Sequence, residues 1–377
     1  MSAAGQPSFV PGLELSSALF HEGVAPILRR HFPDLAYAAA RLGPGSDVLG
    51  FDDARSMDHF WGPLLDLFVS EEDHARWGQQ IHQVLGDTLP FELQGFSTHF
   101  RPFEGADARL GHLGHLAPRT ERPISHGVML HTVRGYFRSF LGVDPLAELG
   151  PVDWLVMSEQ HLRMLTAGRV YHDGPGELSR ARAALSYYPH DVWLYLMAAQ
   201  WAKIGQEEAF MGRCGEIGDE LGSRVVAARL VRELMRLAFL QERIYAPYSK
   251  WLGTAFQRLT SAPRLGPELG GALRGDDWRA RERHLAQAYE QVAARHNALQ
   301  VTDPVPQAVA SFHGRPFLVI HAERFAAALE AAISTEAVRG LPPRVGSVSQ
   351  WADATDVLER PRLLQRLRAL YQAHPGR

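Results

Sequence analysis

Between Gly43 and Val69 the chain reads GPGSDVLGFDDARSMDHFWGPLLDLFV, a stretch that concentrates residue types able to handle phosphate and metal. Gly45 and Ser46 make a turn whose backbone can approach a charged ligand closely, and whose amides and hydroxyl suit phosphate oxygens. Acids spaced by two fall on one side of a strand, where they can grip a divalent cation together. Asp58 opens a strand-like run, so Asp58 and Phe60 share one face while His59 and Trp61 take the other. Only one of those two same-face positions is acidic.

Other chemistry-bearing groups are spread along the chain. Phe91 to Phe100 reads as a strand with Glu92 and Gln94 on its polar face. Arg101, Arg109, Arg119 and Arg122 lie in a long loop that suits anion recognition or is simply solvated. His112 and His115, with His126 and His131 downstream, invite a zinc reading, which Gly114 and the absence of a cysteine pair weigh against. Arg213, Glu216, Glu220 and Arg224 recur at helical spacing as a charged ribbon. It is either a solvated ion-pair stripe or, facing a cleft, a source of a general base. Lys250 beside Tyr248 and Trp251 offers a phosphate contact and a stacking surface for a base, or an aromatic packing corner.

The Gly45-Ser46 turn followed by Asp58 at the head of a strand resembles the signature of the nucleotidyltransferase superfamily with the polymerase-beta-type fold. That superfamily includes enzymes that inactivate antibiotics by adding a nucleotide. SDVLGFDD, DHFWGP, YYPHDVWLYLMAAQW, GRCGEIGDELGSR and YAPYSKWLGTAF together resemble a bacterial family within it, domain of unknown function 4037. The resemblance runs from about residue 20 to about residue 358. It implies magnesium-dependent transfer of a nucleoside monophosphate from a nucleoside triphosphate to a hydroxyl of a small-molecule acceptor.

In that pattern two acids flank one residue and bind metal; here Asp58 carries over and Phe60 does not. Asp52, Asp53 or His59 would have to substitute, or the metal site is weakened, or catalysis is lost and the chain is a ligand- or partner-binding module. The resemblance assigns metal to Asp58 and Glu92, nucleotide to Gly45, Ser46, Tyr248 and Lys250, and activation of the acceptor to Glu216 or Glu220. Modification of tRNA or protein is a further reading, requiring a basic surface around the arginine loop.

The elements that would position these groups follow from patterning. Leu15, Leu19, Val24, Ile27 and Leu28 predict an amphipathic helix, Tyr37 to Leu42 a strand, and Leu64 to Val69 the continuation of a second, with Asp66 at an edge or solvent-facing position or, more distantly, helping the metal site. Ser70 heads a helix; Val128 to Leu141 reads as another. The expected class is α+β: a nucleotidyltransferase-like mixed-sheet domain over 12–146, then a mainly helical domain over 147–377 with the site in the cleft. There, Asp191 to Ile204 and Glu207 to Arg243 read as helices, the latter with glycines at 212, 215, 218 and 222 suggesting close packing or a ligand. Asp191 reads as an N-cap, and Ser261 to Gly275 as a Gly- and Pro-rich loop.

The 377 residues carry a formal net charge of −3 and one cysteine, Cys214. No broad positive field is available for bulk nucleic-acid binding, and one cysteine cannot form an intramolecular disulfide. With no signal peptide or membrane span in the pattern, a cytoplasmic protein is expected.

Overall fold

The computed structural model describes residues 8–58, 61–102 and 114–372. The chain forms an α+β structure in two compact units, Met1–Glu148 with His161–Ser186, and Leu149–Gln160 with Tyr187–Arg377. No helix among the described residues is long and apolar enough to cross a membrane.

In the first unit the amphipathic segment becomes α1 (Gly12–Ala18), a π turn (Leu19–Val24) and α2 (Ala25–His31). Then come β1 (Tyr37–Arg41), β2 (Leu64–Val69) and α3 (Glu71–Thr88), whose N-cap Ser70 accepts from the Asp73 amide at 3.0 Å. Two short ribbons follow, β3 (Glu92–Leu93) with β4 (Phe96–Ser97), and β5 (Phe100–Arg101) with β6 (His115–Leu116). The expected continuous strand over 91–100 is interrupted because Gln94 and Gly95 both take positive φ and turn the chain into a hairpin.

The expected helix from Val128 divides at Thr132 into β7 (Gly127–His131) and α4 (Val133–Leu141), with the Thr132 hydroxyl accepting from the Gly135 amide. α5 (Pro151–Val156) belongs to the second unit, and α6 (Glu159–Thr166) spans the change of unit. β8 (Arg169–Asp173) and α7 (Glu177–Ala184) complete the first.

The main sheet has the order β7-β2-β1-β8, mixed in sense: β2 runs parallel to β7 and antiparallel to β1, which pairs antiparallel with β8. Leu65 and Leu67 of β2 join Leu19, Val24 and Leu28 and the α3 residues Ile81 and Leu85 in one apolar core. The opposite face of β2 carries Asp66. It is neither at an edge nor in solvent, because β2 is an interior strand and Asp66 is 2% exposed.

The second unit is helical around α8 (His190–Glu207), buried along nearly all its length; its Trp201 stacks on Phe325 with ring centroids 4.3 Å apart. The long helix expected to follow is two, α9 (Phe210–Glu216) and α10 (Glu220–Gln241). Gly218 turns the chain at φ +82°, and the Asp219 carboxylate caps α10 by accepting from the Gly222 amide at 2.8 Å. The four glycines therefore do not line one helix.

After α10 come α11 (Ser249–Phe256), α12 (Ala262–Arg274) and α13 (Trp278–Ala298), then the hairpin β9 (Ala310–Phe312) and β10 (Arg315–Val319), and α14 (Glu323–Ala332) and α15 (Glu336–Arg339). α12 occupies the segment read as a loop. Its Leu265, Leu269 and Ala272 are buried at helical spacing, and that burial outweighs the Gly and Pro content.

Gly212 and Gly215 are there for packing. A Cβ at Gly215 would lie 2.2 Å from Cγ of Trp278, where α13 begins. Alanine would gain up to about 1 kcal/mol of helix propensity but overpack this contact at a cost of about 1–3 kcal/mol. Gly215→Ala is expected to lower the unfolding midpoint, and Gly253→Ala in α11, which meets nothing within 4 Å, to raise it. Parallel urea titrations giving the same sign for both would contradict the packing account.

Candidate functional site

The turn at Gly43–Ser46 is set by a buried guanidinium beneath it. Arg41, the last residue of β1, donates from Nε to Asp47 Oδ2 at 2.7 Å and from Nη2 to Asp47 Oδ1 at 3.1 Å. Its remaining bonds go to the carbonyls of Leu42 and Pro44, both at 3.0 Å. Burial alone would lower the Arg41 pKa, but the Asp47 charge, and behind it Asp66, outweigh that and hold it above its ordinary value. Gly45, at φ +143°, admits no side chain, since a Cβ would lie 2.1 Å from Asp47 Oδ1. Gly43 is equally constrained, at φ +79° with the Tyr136 hydroxyl against it.

Ser46 is half-buried and its hydroxyl donates to Ser56 Oγ at 3.1 Å. Ser56 lies in a 3-10 turn, Ala54–Asp58, so Asp58 ends a turn instead of opening a strand. The Asp53 carboxylate accepts from the amides of Arg55 at 2.8 Å and Ser56 at 3.3 Å, local bonds that favour a turn over strand pairing. Asp58 is exposed, and its carbonyl faces the His115 Nδ1 at 3.0 Å. His59 and Phe60 lie outside the described residues, as do Arg109 and His112. Asp52 accepts from the Gly12 amide at 2.7 Å and the Trp61 indole at 3.2 Å, which ties down the start of α1.

Gly45, Ser46 and Asp58 thus share one turn system. Glu92 does not join them in the sheet: it is exposed on β3, paired across from Ser97, whereas the strands flanking β2 are β1 and β7. Arg122 packs its guanidinium 4.5 Å from the Phe91 ring and donates to the Leu89 carbonyl, a structural use.

The remaining candidates belong to the second unit. Glu216 accepts from Arg213 within α9 at 2.7 Å. Glu220, in the first turn of α10, is gripped by Arg224 at 2.8 Å and by the fully buried Arg281 at 2.8 and 2.6 Å. The Arg281 hydrogen bonds, then its charge and those of Arg224, hold the Glu220 carboxyl below its usual range, which weakens its affinity for a proton.

Tyr248 donates its amide to Gln160, and Lys250 sits 5.0 Å over the Trp251 ring. Tyr187 and Tyr188 each pack on Tyr245, with ring centroids at 5.0 and 5.1 Å, so two aromatic corners of the chain meet. Asp191 does not cap its own helix, whose N-cap is Pro189. Its Oδ2 takes the amides and hydroxyls of Ser334 and Thr335 ahead of α15, bonds that bring the carboxyl down to about 2 against the opposing effect of burial. Beside it is a cavity of about 450 Å³ walled by Trp154, Pro189, Val192 and Val338.

Sequence reasoning singled out Asp66 and His131 separately and missed that they meet in a cluster under the turn. Asp66 accepts from the Leu42 amide at 3.0 Å through Oδ2 and pairs through Oδ1 with His131 Nε2 at 3.2 Å; Arg41 Nη1 lies 4.0 Å away. The Tyr136 ring packs 4.7 Å from His131, and burial, reinforced by the Asp66 charge, raises its phenol well above the ordinary value. The available signal was a single acid inside an apolar strand, LLDLFV. A buried charge needs a partner.

No curated protein matches the chain. Residues 154–252, which run from α5 into α11 and include the Tyr187–Tyr188 and Tyr245–Trp251 corners, match the model of the family described as a domain of unknown function (DUF4037).

Proposed function

We propose that the first unit binds a nucleoside triphosphate, with its phosphates on the Gly45–Ser46 turn, and that the chain transfers the nucleoside monophosphate to a hydroxyl of a small molecule. The observation that supports this reading is the hydroxyl bridge from Ser46 to Ser56, which joins the glycine-serine turn to the short 3-10 turn ending in exposed Asp58. A rigid, small-residue turn next to a carboxylate is an arrangement that can meet phosphate and its counter-ion together.

Magnesium enters the reading through the family resemblance alone. Among the described residues no three His, Cys, Asp or Glu side chains come together to hold a metal ion. A magnesium ion there would have to be held by one or two carboxylates, Asp58 among them, together with the phosphates of the nucleotide. A second reading, ligand binding without turnover, is favoured by Phe60 standing where the resemblance expects the second acid.

Thermal melts with each of four nucleoside triphosphates, with and without magnesium, test both. Ligand at about 100 times its Kd adds about 2.7 kcal/mol, a readily measured rise in Tm. Transfer predicts a metal-dependent rise together with pyrophosphate release, both lost in Asp58→Ala. A rise without pyrophosphate, unchanged by Asp58→Ala, would favour the second reading, and no rise with any nucleotide would end both.

A further inference from the structure

Among the described residues, a carboxylate–histidine pair of the first unit stands apart from Asp58 and Glu92. His131 ends β7 and faces Asp66 on the neighbouring β2, with the Asp66 Oδ1 to His131 Nε2 distance at 3.2 Å. Asp66 is buried, whereas the His131 side chain keeps 26% of its surface exposed. A carboxylate on one imidazole nitrogen fixes ring orientation and tautomer and leaves the other nitrogen to accept a proton, the division of labour in a carboxylate–histidine pair.

The charges around the pair are not balanced. Arg41 directs its short bonds to Asp47, at 2.7 and 3.1 Å, and stands 4.0 Å from Asp66. One guanidinium is therefore shared by two buried carboxylates. The three side chains Arg41, Asp47 and Asp66 therefore leave a net negative charge beside His131.

The pair also adjoins the turn assigned to phosphate. Asp66 Oδ2 accepts from the amide of Leu42, the residue before Gly43. Tyr136 bridges the same ground, its ring 4.7 Å from His131 and its hydroxyl against Gly43.

We propose that His131, oriented by Asp66, is the general base that takes the proton from the acceptor hydroxyl as it attacks a nucleotide held at the Gly43–Ser46 turn. The inference rests on the nucleotide-binding reading above and adds the catalytic residue to it. The hydroxyl oxygen bonds to the α-phosphorus, its proton passes to His131, and the bond from the α-phosphorus to the bridging oxygen breaks with release of pyrophosphate. Asp66 is a positioning residue.

The experiment uses the full chain, ATP with magnesium, and water or glycerol as acceptor, and follows the thermal shift and pyrophosphate release separately. His131→Gln is expected to keep the nucleotide-dependent shift and to lose about 10²–10⁴-fold in release rate. The charged and titratable groups facing His131 are Asp66 from β2, Arg41 from β1 behind it and Tyr136 from α4. Asp66→Asn should slow release while sparing the shift.

Equal release rates in His131→Gln and wild type would overturn the base assignment alone. A wild-type shift without pyrophosphate overturns it in favour of binding without turnover. Absence of any wild-type shift removes the nucleotide reading and this assignment together.

Discussion

Asp47→Ala is expected to destabilise the first unit by about 3–5 kcal/mol, the usual cost of removing one partner from a buried ion pair. Arg41 and Asp47 have side chains only 2% and 0% exposed, so the stranded guanidinium could not turn to water. Asp66, 4.0 Å from Nη1, would take over part of the charge and bring the loss toward the lower end. Urea unfolding should show the loss as a shift in midpoint without a change in slope. A double variant, Arg41→Met with Asp47→Leu, leaves no orphaned charge and should unfold at higher urea than Asp47→Ala, although the carbonyls of Leu42 and Pro44 lose a donor in it. If Asp47→Ala stays within about 1 kcal/mol of wild type, the pair does not have the role given to it.

Acidification is expected to weaken the two units unequally. In the first, burial pushes His126 and His161 down to about 4. The His126 ring is fixed as neutral: Nδ1 accepts from the Val128 amide at 3.2 Å, and Nε2 faces the His82 carbonyl at 3.1 Å. In the unfolded chain both histidines titrate near ~6.5. As pH falls between those values, the unfolded state takes up protons that the folded state refuses.

The stability present above about pH 6.5 is then lost at about 1.4 kcal/mol per pH unit for each ring, about 3 kcal/mol apiece by pH 4. In the second unit His296, also pushed by burial to about 4, loses stability in the same direction. There, however, burial pushes Glu208 up to about 7, against the bonds it accepts from the Ile320 and Ala322 amides. A carboxyl raised in the folded state acts with the opposite sign, stabilising the fold as pH falls from 7 towards 4.5, and it offsets His296. Hydrogen exchange at pH 7.5 and 4.5 should therefore show protection collapsing in β1, β2 and α3 before α8 and α13. Simultaneous loss, or earlier loss of α8, would contradict this assignment of burial.

How far the chain could be read from sequence depended on whether the deciding forces were local. The amphipathic segment from Leu15, the strand from Tyr37 and the cap at Ser70 were legible because spacing and adjacent hydrogen bonds set them. Asp58 was misplaced for a local reason too: the Asp53 carboxylate bonds to two nearby amides make a turn, a competing motif within the same few residues. α12 was invisible because its Leu265, Leu269 and Ala272 gain from burial that only the folded unit supplies.

At the candidate site, Gly45, Ser46 and Asp58 were legible as residue types. Asp66 and His131 stand 65 residues apart and meet only because β7 adds beside β2. Strand order is a tertiary choice, and no spacing rule encodes it. The charged ribbon failed for the converse reason, since Gly218 and the Asp219 cap break a periodicity that looks continuous.

The return of residues 161–186 to the first unit constrains how this protein can be made. Ala38–Arg41 of β1 pair with β8 at Arg169–Asp173, so that edge stays open until the polypeptide has been extended by a further 128 residues beyond Arg41. Residues 149–160, destined for the other unit, precede β8 in the chain and so emerge from the ribosome before it. An uncovered strand edge is a template for pairing with another chain. Ribosomes stalled after β7 has emerged and before β8 has should therefore carry a sheet prone to capture by a neighbour's, and vectorial synthesis cannot finish one unit before starting the next.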